Sequence, residues 1–461
     1  MLSSNGKIHH SESILETIGH TPLIKLRSVI KDQRGHFFAK LESFNPGGSD
    51  KDRSGLAMIE DAEREGRLHR GGTIVEATSG NMGIGLAIAA AVKGYKCVFS
   101  IPDKTSQEKI QILRAYGAEV IVTPAEVPHD SPESYIEVAK RIVRETPNSI
   151  LANQFYNPIV SEIHARTTGP ELWEETEGQI DYFVAGIGTG GTISGIGKFL
   201  KEKNPAVKII GVDPHGSFIH DQYRRASPKA VGKSYKLEGI GQNWLPAVLD
   251  FDVIDDMIDV SDKEAFLMTR RLCREEGLFL GGSSGAAMAG ALKYASHMNE
   301  NNVMVILMPD RGERYLSKIF NDNWMREHGF LIPDKVTVRY VLQRKGTGLS
   351  KLICVESSAT LRTALALFKE YDVSQLPVLD KGKSVGRVLD SDVMSIVLED
   401  SSKLDLPVSA IMEPSFPVIG VNAPIEHAID FLKKKDAAVL IEENRTIVGI
   451  LTRYDVIEFL A

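Results

Sequence analysis

From residue 20 to about residue 215 this chain alternates short runs rich in β-branched and aromatic residues with longer helical patterns, and no other feature constrains its fold as much. Thr73 to Glu76, Lys96 to Ile101 and Glu119 to Val122 read as strands, with Gly83 to Lys93 and Gln107 to Tyr116 as helices between them. Parallel strands need a crossover long enough to hold a helix, so this rhythm predicts an α/β fold with a mostly parallel sheet covered on both faces. Ligands of such folds collect in the loops beyond the carboxyl ends of the strands. The functional search narrows to those loops.

The first is Asn45-Pro46-Gly47-Gly48-Ser49-Asp50-Lys51-Asp52-Arg53, where Pro46 and two glycines break the strand-like run His36 to Leu41. Ser49 with Asp52 three residues on reads as a capping-box-like helix start, which puts Lys51 in the first turn. A cation is disfavoured there by the partial positive charge of the unpaired amides, so Lys51 is a candidate amine nucleophile or Schiff-base residue. A solvated lysine on a helix end fits this nonamer equally well.

Further strand-to-helix loops decide between the two. Thr78-Ser79-Gly80-Asn81-Met82-Gly83 leads into an Ala-rich helix, and its amides and hydroxyls suit a carboxylate or phosphate, although a plain turn would favour the same residues. Gly186-Ile187-Gly188-Thr189-Gly190-Gly191-Thr192 is a strong phosphate-cradle candidate. It also satisfies G-x-G-x-x-G, with Asp213 after the next strand as a dinucleotide fold requires, so a nicotinamide oxidoreductase is a rival. That rival leaves Lys51 and the loop Gly281-Gly282-Ser283-Ser284-Gly285 without a role. Glu238-Gly239-Ile240-Gly241 reads as a turn or a site wall, and Pro309-Asp310-Arg311 as a loop start after the strand Val303 to Met308.

Composition excludes other classes. The 461 residues carry a net charge of −7 with both signs interspersed, which offers neither a nucleic-acid groove nor a polybasic membrane anchor. Cys97, Cys273 and Cys354 are far apart and form no metal or disulfide pattern, which fits a reducing cytoplasmic setting. The start MLSSNGKIHH lacks a signal pattern, and the apolar run Ile84 to Val92 is too short to span a bilayer. His9-His10 reads as a solvated pair rather than a metal site.

The lysine loop, TSGN, GTGGT, EGIG and GGSSG, in this order over residues 8 to 330, resemble the β-family (fold type II) of pyridoxal-phosphate enzymes, in its cysteine synthase/cystathionine β-synthase branch. The resemblance implies a two-lobed core over residues 1–332 with pyridoxal 5′-phosphate in the cleft between lobes. By position, Lys51 carries the cofactor; Gly188, Thr189, Gly190, Gly191 and Thr192 hold its phosphate; Asn81 bonds its 3′-oxygen; and Ser283 faces its pyridine nitrogen. Thr78, Ser79, Asn81 and Met82, with Gln154 and Gly239, are implied to hold the substrate. A neutral serine cannot keep the pyridine nitrogen protonated as a carboxylate would, which favours elimination at Cβ over transamination. Departures from the family pattern are Asp50 beside the lysine in place of a small apolar residue, Met82 for threonine, Phe155 for tyrosine, and Gln242 where an aromatic is common. No Cys-x-His-like segment precedes the core, so haem is not expected.

After residue 332 the pattern changes to an internal repeat. Val385-Gly386-Arg387-Val388-Leu389-Asp390-Ser391-Asp392-Val393 matches Val448-Gly449-Ile450-Leu451-Thr452-Arg453-Tyr454-Asp455-Val456, and each copy (about 336–398 and 404–461) reads helix, strand, turn, strand, helix. One copy cannot bury its sheet face alone, so the two should pack as a pair. This resembles a tandem CBS-domain module of α+β type, which implies an adenosyl ligand. Thr452 and Asp455 match nucleotide-binding positions; in the first copy Asp392 is kept while Asp390 stands for the hydroxyl residue. S-adenosylmethionine is the expected ligand, with AMP or ATP as rivals and a purely structural or dimerising module as the plain alternative.

The resemblance implies β-replacement, condensing L-serine with L-homocysteine and releasing hydrogen sulfide when cysteine is the substrate. Cysteine synthesis from O-acetylserine and sulfide is the alternative, and a catalytically inert adenosyl-ligand sensor the alternative of another class. A homodimer or higher homo-oligomer is implied, with no nucleic-acid or membrane partner.

Overall fold

The computed structural model describes residues 10–128, 130–224, 235–331, 336–343, 352–434 and 437–460. His9 and the boundary expected at 332/333 lie outside them. The chain forms two compact units, Met1–Leu331 and Ile332–Ala461.

The first unit holds strands β1 (Leu23–Lys25), β2 (His36–Leu41), β3 (Thr73–Ala77), β4 (Lys96–Pro102), β5 (Glu119–Thr123), β6 (Ser149–Leu151), β7 (Tyr182–Gly186), β8 (Lys208–Pro214), β9 (Asp256–Val260) and β10 (Val303–Met308). Its helices are α1 (Lys51–Arg64), α2 (Asn81–Lys93), α3 (Gln107–Ala115), α4 (Tyr135–Glu145), α5 (Ile159–Arg166), α6 (Thr168–Glu175), α7 (Gly191–Lys203), α8 (Phe218–Tyr223), α9 (Asp262–Glu276), α10 (Gly282–Tyr294) and α11 (Asp322–Glu327).

Two sheets result. One has the order β5-β4-β3-β6, all parallel; the other runs β1-β2-β10-β7-β8-β9, with only β1 antiparallel. Alternation along β7 and β10 sorts side chains between faces. Val184 and Ile306 join a core with α9 and α10, whereas Phe183, Ala185, Val305 and Leu307 join one with α7. A strand buried on both faces reads as a continuous apolar run, as Val303 to Met308 does. The four-stranded sheet has its own core with α1, α2 and α3. Helix α2 is apolar nearly all round and correspondingly buried from Met82 to Ala90.

The capping expected at Ser49 and Asp52 does not form. Helix α1 starts behind Asp50, Ser49 Oγ accepts from the Lys51 amide at 3.3 Å and not from that of Asp52, and Asp52 Oδ2 accepts from the Gly47 amide at 2.5 Å. Two glycines before the helix fold the chain back, so the Gly47 amide comes nearer to Asp52 than the Ser49 backbone does. Lys51 is nonetheless the first residue of the helix.

The second unit comprises α12 (Val338–Leu342), α13 (Leu361–Tyr371), β11 (Gln375–Asp380), β12 (Lys383–Leu389), α14 (Asp390–Glu399), β13 (Val418–Gly420), α15 (Ile425–Lys434), β14 (Ala438–Glu443), β15 (Thr446–Thr452) and α16 (Arg453–Leu460). Leading segments are exchanged between the copies. Val338 and Val341 enter the core of the second copy with Ile419, Ile425 and Val439, while Val408, Ile411 and Met412 pack on the first with Leu361 and Val378. The packing units therefore differ from the linear repeats. Leu379, Phe416, Ala438, Leu440 and Ile447 form the core between the two.

Candidate active site

The carboxyl ends of β2, β3, β7 and β10 open onto one cleft holding about 630 Å³ of empty space. Its walls include Lys51, Thr78, Ser79, Asn81, Met82, Gln154, Gly188, Thr189, Gly190, Thr192, Gly239 and Ser283. Of the residues that the resemblance assigns to cofactor or substrate, Gly191 alone is missing from this lining; it is the first residue of α7, packed against Val160. Loops far apart in sequence meet because the carboxyl ends of strands from both sheets open onto this cleft.

Three helices enter the cleft by their N-termini. Gly80 precedes α2, Gly190 precedes α7 and Gly281 precedes α10, glycines that offer no side-chain cap of their own, although the Gly191 amide donates to Thr189 Oγ1 at 3.4 Å. Free amides and the helix dipole make such ends anion sites. The glycine loop is compressed against its neighbours: a Cβ on Gly188 would lie 2.5 Å from the Gly239 carbonyl oxygen, and Gly190 has φ +87°. Gly239 belongs to the EGIG stretch, which is a site wall and more than a turn. Its Glu238 is buried and bound to Lys109 Nζ at 2.9 Å and Lys318 Nζ at 2.6 Å, while the Gly241 amide donates to Ile187 O at 2.7 Å.

Lys51 Nζ meets Asp50 Oδ2 at 2.5 Å, so the carboxylate beside the lysine points inward. Thr192 Oγ1 donates to the same oxygen at 2.9 Å, and His164 Nε2 stands 3.4 Å from that hydroxyl. Burial pushes the His164 imidazolium down to about 4, so the ring is neutral at physiological pH. Its Nδ1 meets Thr168 Oγ1 at 2.9 Å.

The substrate-side loop is held from behind by Glu76. This buried carboxylate accepts from the Asn153 amide at 2.5 Å and the Gln154 amide at 3.4 Å, while Gln154 Nε2 donates to Ala77 O at 2.8 Å. Burial drives the Glu76 carboxyl up to about 8 despite those donors.

Asp310 and Arg314 are site residues that sequence reading missed. Asn81 Nδ2 donates to Asp310 Oδ2 at 2.8 Å, Tyr315 OH donates to the same oxygen at 2.5 Å, and Arg314 Nη1 donates to Asn81 Oδ1. The Asn81 amide is thereby fixed in orientation. The available signal was the position of Asp310 just past a fully buried strand. Asp213, by contrast, does not line the cleft; it is buried and accepts from the His220 amide at 2.9 Å, which removes the geometric support for a dinucleotide site.

These residues fit pyridoxal phosphate. One amine, the hydroxyls of Thr189, Thr192 and Ser283, and three helix N-termini that follow glycines, with no room for a Cβ on Gly188, form a donor set for a compact anionic ring. Comparison with known proteins agrees. The family of pyridoxal-phosphate dependent enzymes matches residues 14–310, and the cystathionine beta-synthase of Dictyostelium discoideum is 40% identical over 468 residues, covering 97% of this chain and 92% of that one. The chain belongs to the cystathionine β-synthase family. Like its relatives, this cystathionine β-synthase family member is a pyridoxal-phosphate dependent lyase. The Saccharomyces cerevisiae cystathionine beta-synthase is 34% identical, with all of both chains covered. A solved hydrogen sulfide-producing enzyme from Fusobacterium nucleatum superposes with a TM-score of 0.63 at 38% identity, covering 67% of this chain and all of that one. The CBS domain matches residues 349–399 and 408–461.

Within the CBS module, Asp455 Oδ2 accepts from the Thr452 amide at 2.6 Å and its hydroxyl at 2.7 Å, and Asp392 Oδ1 accepts from Ser391 Oγ at 3.4 Å. Strands β12 and β15 end at Leu389 and Thr452. Leu389, and not Asp390 as expected, therefore occupies the hydroxyl position of the first copy.

Proposed function

We propose that this protein condenses L-serine with L-homocysteine to L-cystathionine and releases hydrogen sulfide when cysteine is its substrate. The observation that carries the reading is the Lys51 amine in a cleft entered by three helix N-termini that follow glycines, on a chain aligned over nearly its whole length with cystathionine beta-synthases. Pyridoxal phosphate, when bound, supplies the electron sink that makes the substrate Cα–H acidic. Lys51 holds it and acts as the base that removes the α-proton and returns it at the end of the cycle. The loop Gly188 to Thr192 binds the phosphate through backbone amides and hydroxyls, and Asn81 and Ser283 orient the ring. Thr78, Ser79, Met82 and Gln154 wall the place of the substrate carboxylate, with Glu76 fixing the backbone of Gln154.

Cysteine synthesis from O-acetylserine and sulfide, by the same replacement at Cβ, is the second reading, whereas the likeness to a hydrogen sulfide-producing enzyme supports the release of sulfide from cysteine. Product analysis with serine plus homocysteine against O-acetylserine plus sulfide separates the two. Replacing Lys51 with Ala should abolish both the cofactor absorbance and turnover; a variant working at the wild-type rate sinks the assignment. The CBS module is assigned an adenosyl ligand near Thr452 and Asp455. Calorimetry with S-adenosylmethionine, AMP and ATP tests this, and silence for all three defeats it.

A further inference from the structure

Asp50 is an acid where the surrounding chemistry asks for none. Its side chain is 2% exposed, yet it lines the cleft. Oδ2 is shared by Lys51 Nζ at 2.5 Å and Thr192 Oγ1 at 2.9 Å, while Oδ1 is buried without a hydrogen-bond partner. Thr192 lies in the first turn of α7, where the Gly191 amide donates to Thr189 Oγ1 at 3.4 Å. Asp50 thus spends two of the cleft's donors on a negative charge that belongs to the protein. Its other close neighbours offer no replacement: His164 is neutral, and Asp52 in the next turn position is itself an acid whose carboxyl burial pushes up to about 7.

We propose that Asp50 is a resident counter-anion of the phosphate cradle, and that it weakens the hold of this chain on pyridoxal phosphate. The inference rests on the reading that Gly188 to Thr192 receives the phosphate. A hydroxyl has one proton to donate, so Thr192 cannot serve Asp50 and a phosphate oxygen together. Two anions sharing one desolvated cradle also repel far more strongly than they would in water. The phosphate gains its donors only at the expense of Asp50.

The test uses the full-length chain stripped of cofactor, as wild type, Asp50→Asn and Asp50→Val. Each is titrated with pyridoxal phosphate and with pyridoxal, which has the same ring and aldehyde but no phosphate, and binding is followed by absorbance. Removing the charge should tighten pyridoxal phosphate binding about tenfold or more in both variants and leave pyridoxal within about twofold of wild type. Unchanged or weaker pyridoxal phosphate binding in both variants overturns the proposal. An equal gain for pyridoxal also overturns it, because the effect then lies at Lys51 and not at the phosphate. If none of the three chains binds pyridoxal phosphate, the cofactor reading beneath it falls.

Discussion

Arg53, two residues past Lys51, is the bolt that fixes the first turn of α1, and its removal should be costly in a pH-dependent way. Its Nε and Nη2 each meet Glu42 at 2.8 Å, and its Nη1 and Nη2 meet Glu171 at 2.5 and 2.7 Å. Glu42 is fully buried and takes further bonds from Thr21 Oγ1 at 2.7 Å and Asn45 Nδ2 at 2.9 Å. Burial alone would raise the Glu42 carboxyl, but the Arg53 charge and the bonds from Arg53 and Thr21 outweigh it and hold the group below its ordinary value of 4.5. Arg53→Met keeps the stem and deletes the charge. Breaking a buried pair from one side costs about 3–5 kcal/mol, and the partly exposed Glu171 adds about 1 kcal/mol at most. In the wild type, the depressed Glu42 contributes stability that is present above its unfolded value and lost as pH falls through its folded one. In the variant, burial without a partner raises Glu42, so stability instead falls as pH climbs above the unfolded value. The gap between the two proteins should be about 4 kcal/mol near pH 7.5 and shrink toward about pH 5. Trp173, Trp244 and Trp324, the only tryptophans, all lie in the first unit, so urea unfolding followed by their fluorescence reports on that unit alone. A gap below about 1 kcal/mol, or one that does not change with pH, refutes the argument.

Three further outcomes are expected. Gly188→Ala drives a Cβ to 2.5 Å from the Gly239 carbonyl oxygen, so it should destabilise by about 1–3 kcal/mol and lower pyridoxal phosphate affinity; titration and thermal unfolding check both. Asp310→Asn keeps the shape but presents an amide where Asn81 and Tyr315 both donate, so turnover should fall about tenfold to a hundredfold while the fold survives; steady-state kinetics beside circular dichroism decide. Because burial lifts Glu76 to about 8, folding takes up a proton between its ordinary value of 4.5 and that point, and stability from this group declines as pH rises through the window; Glu76→Gln should flatten that decline in denaturant titrations.

The loops around the cleft were legible because each is a local pattern: a strand end, small residues, then a helix. Partners that act across the sheet were not. Nothing in Pro309-Asp310-Arg311 announces that Asp310 reaches Asn81, 229 residues away in sequence; one follows β10 in the six-stranded sheet and the other follows β3 in the four-stranded sheet, and only the meeting of the two sheets brings them together. The capping pattern at Ser49 and Asp52 failed for a related reason, since the fold-back of Gly47 offered Asp52 a nearer donor. Lys40 shows the limit of alternation: a lysine in an apolar strand is fully buried because Glu171 and Glu175, both on α6, reach it at 3.1 and 2.8 Å. In the second unit the repeat was visible but the exchange of leading segments was not, because α12 is too short to signal its packing partner.

The place of β10 in its sheet has a consequence for biosynthesis. Strands β1 and β2 join the rest of the six-stranded sheet only through β10, which leaves the ribosome more than two hundred and fifty residues after them. Until then the hairpin that leads into Lys51 has no parallel neighbour and an open edge. The four-stranded sheet, assembled from residues 73–151, can close much earlier. Nascent chains should thus carry a finished small lobe beside an unpaired strand end for much of translation. Any truncation before Met308 would leave the strand that leads toward Lys51 with nowhere to dock.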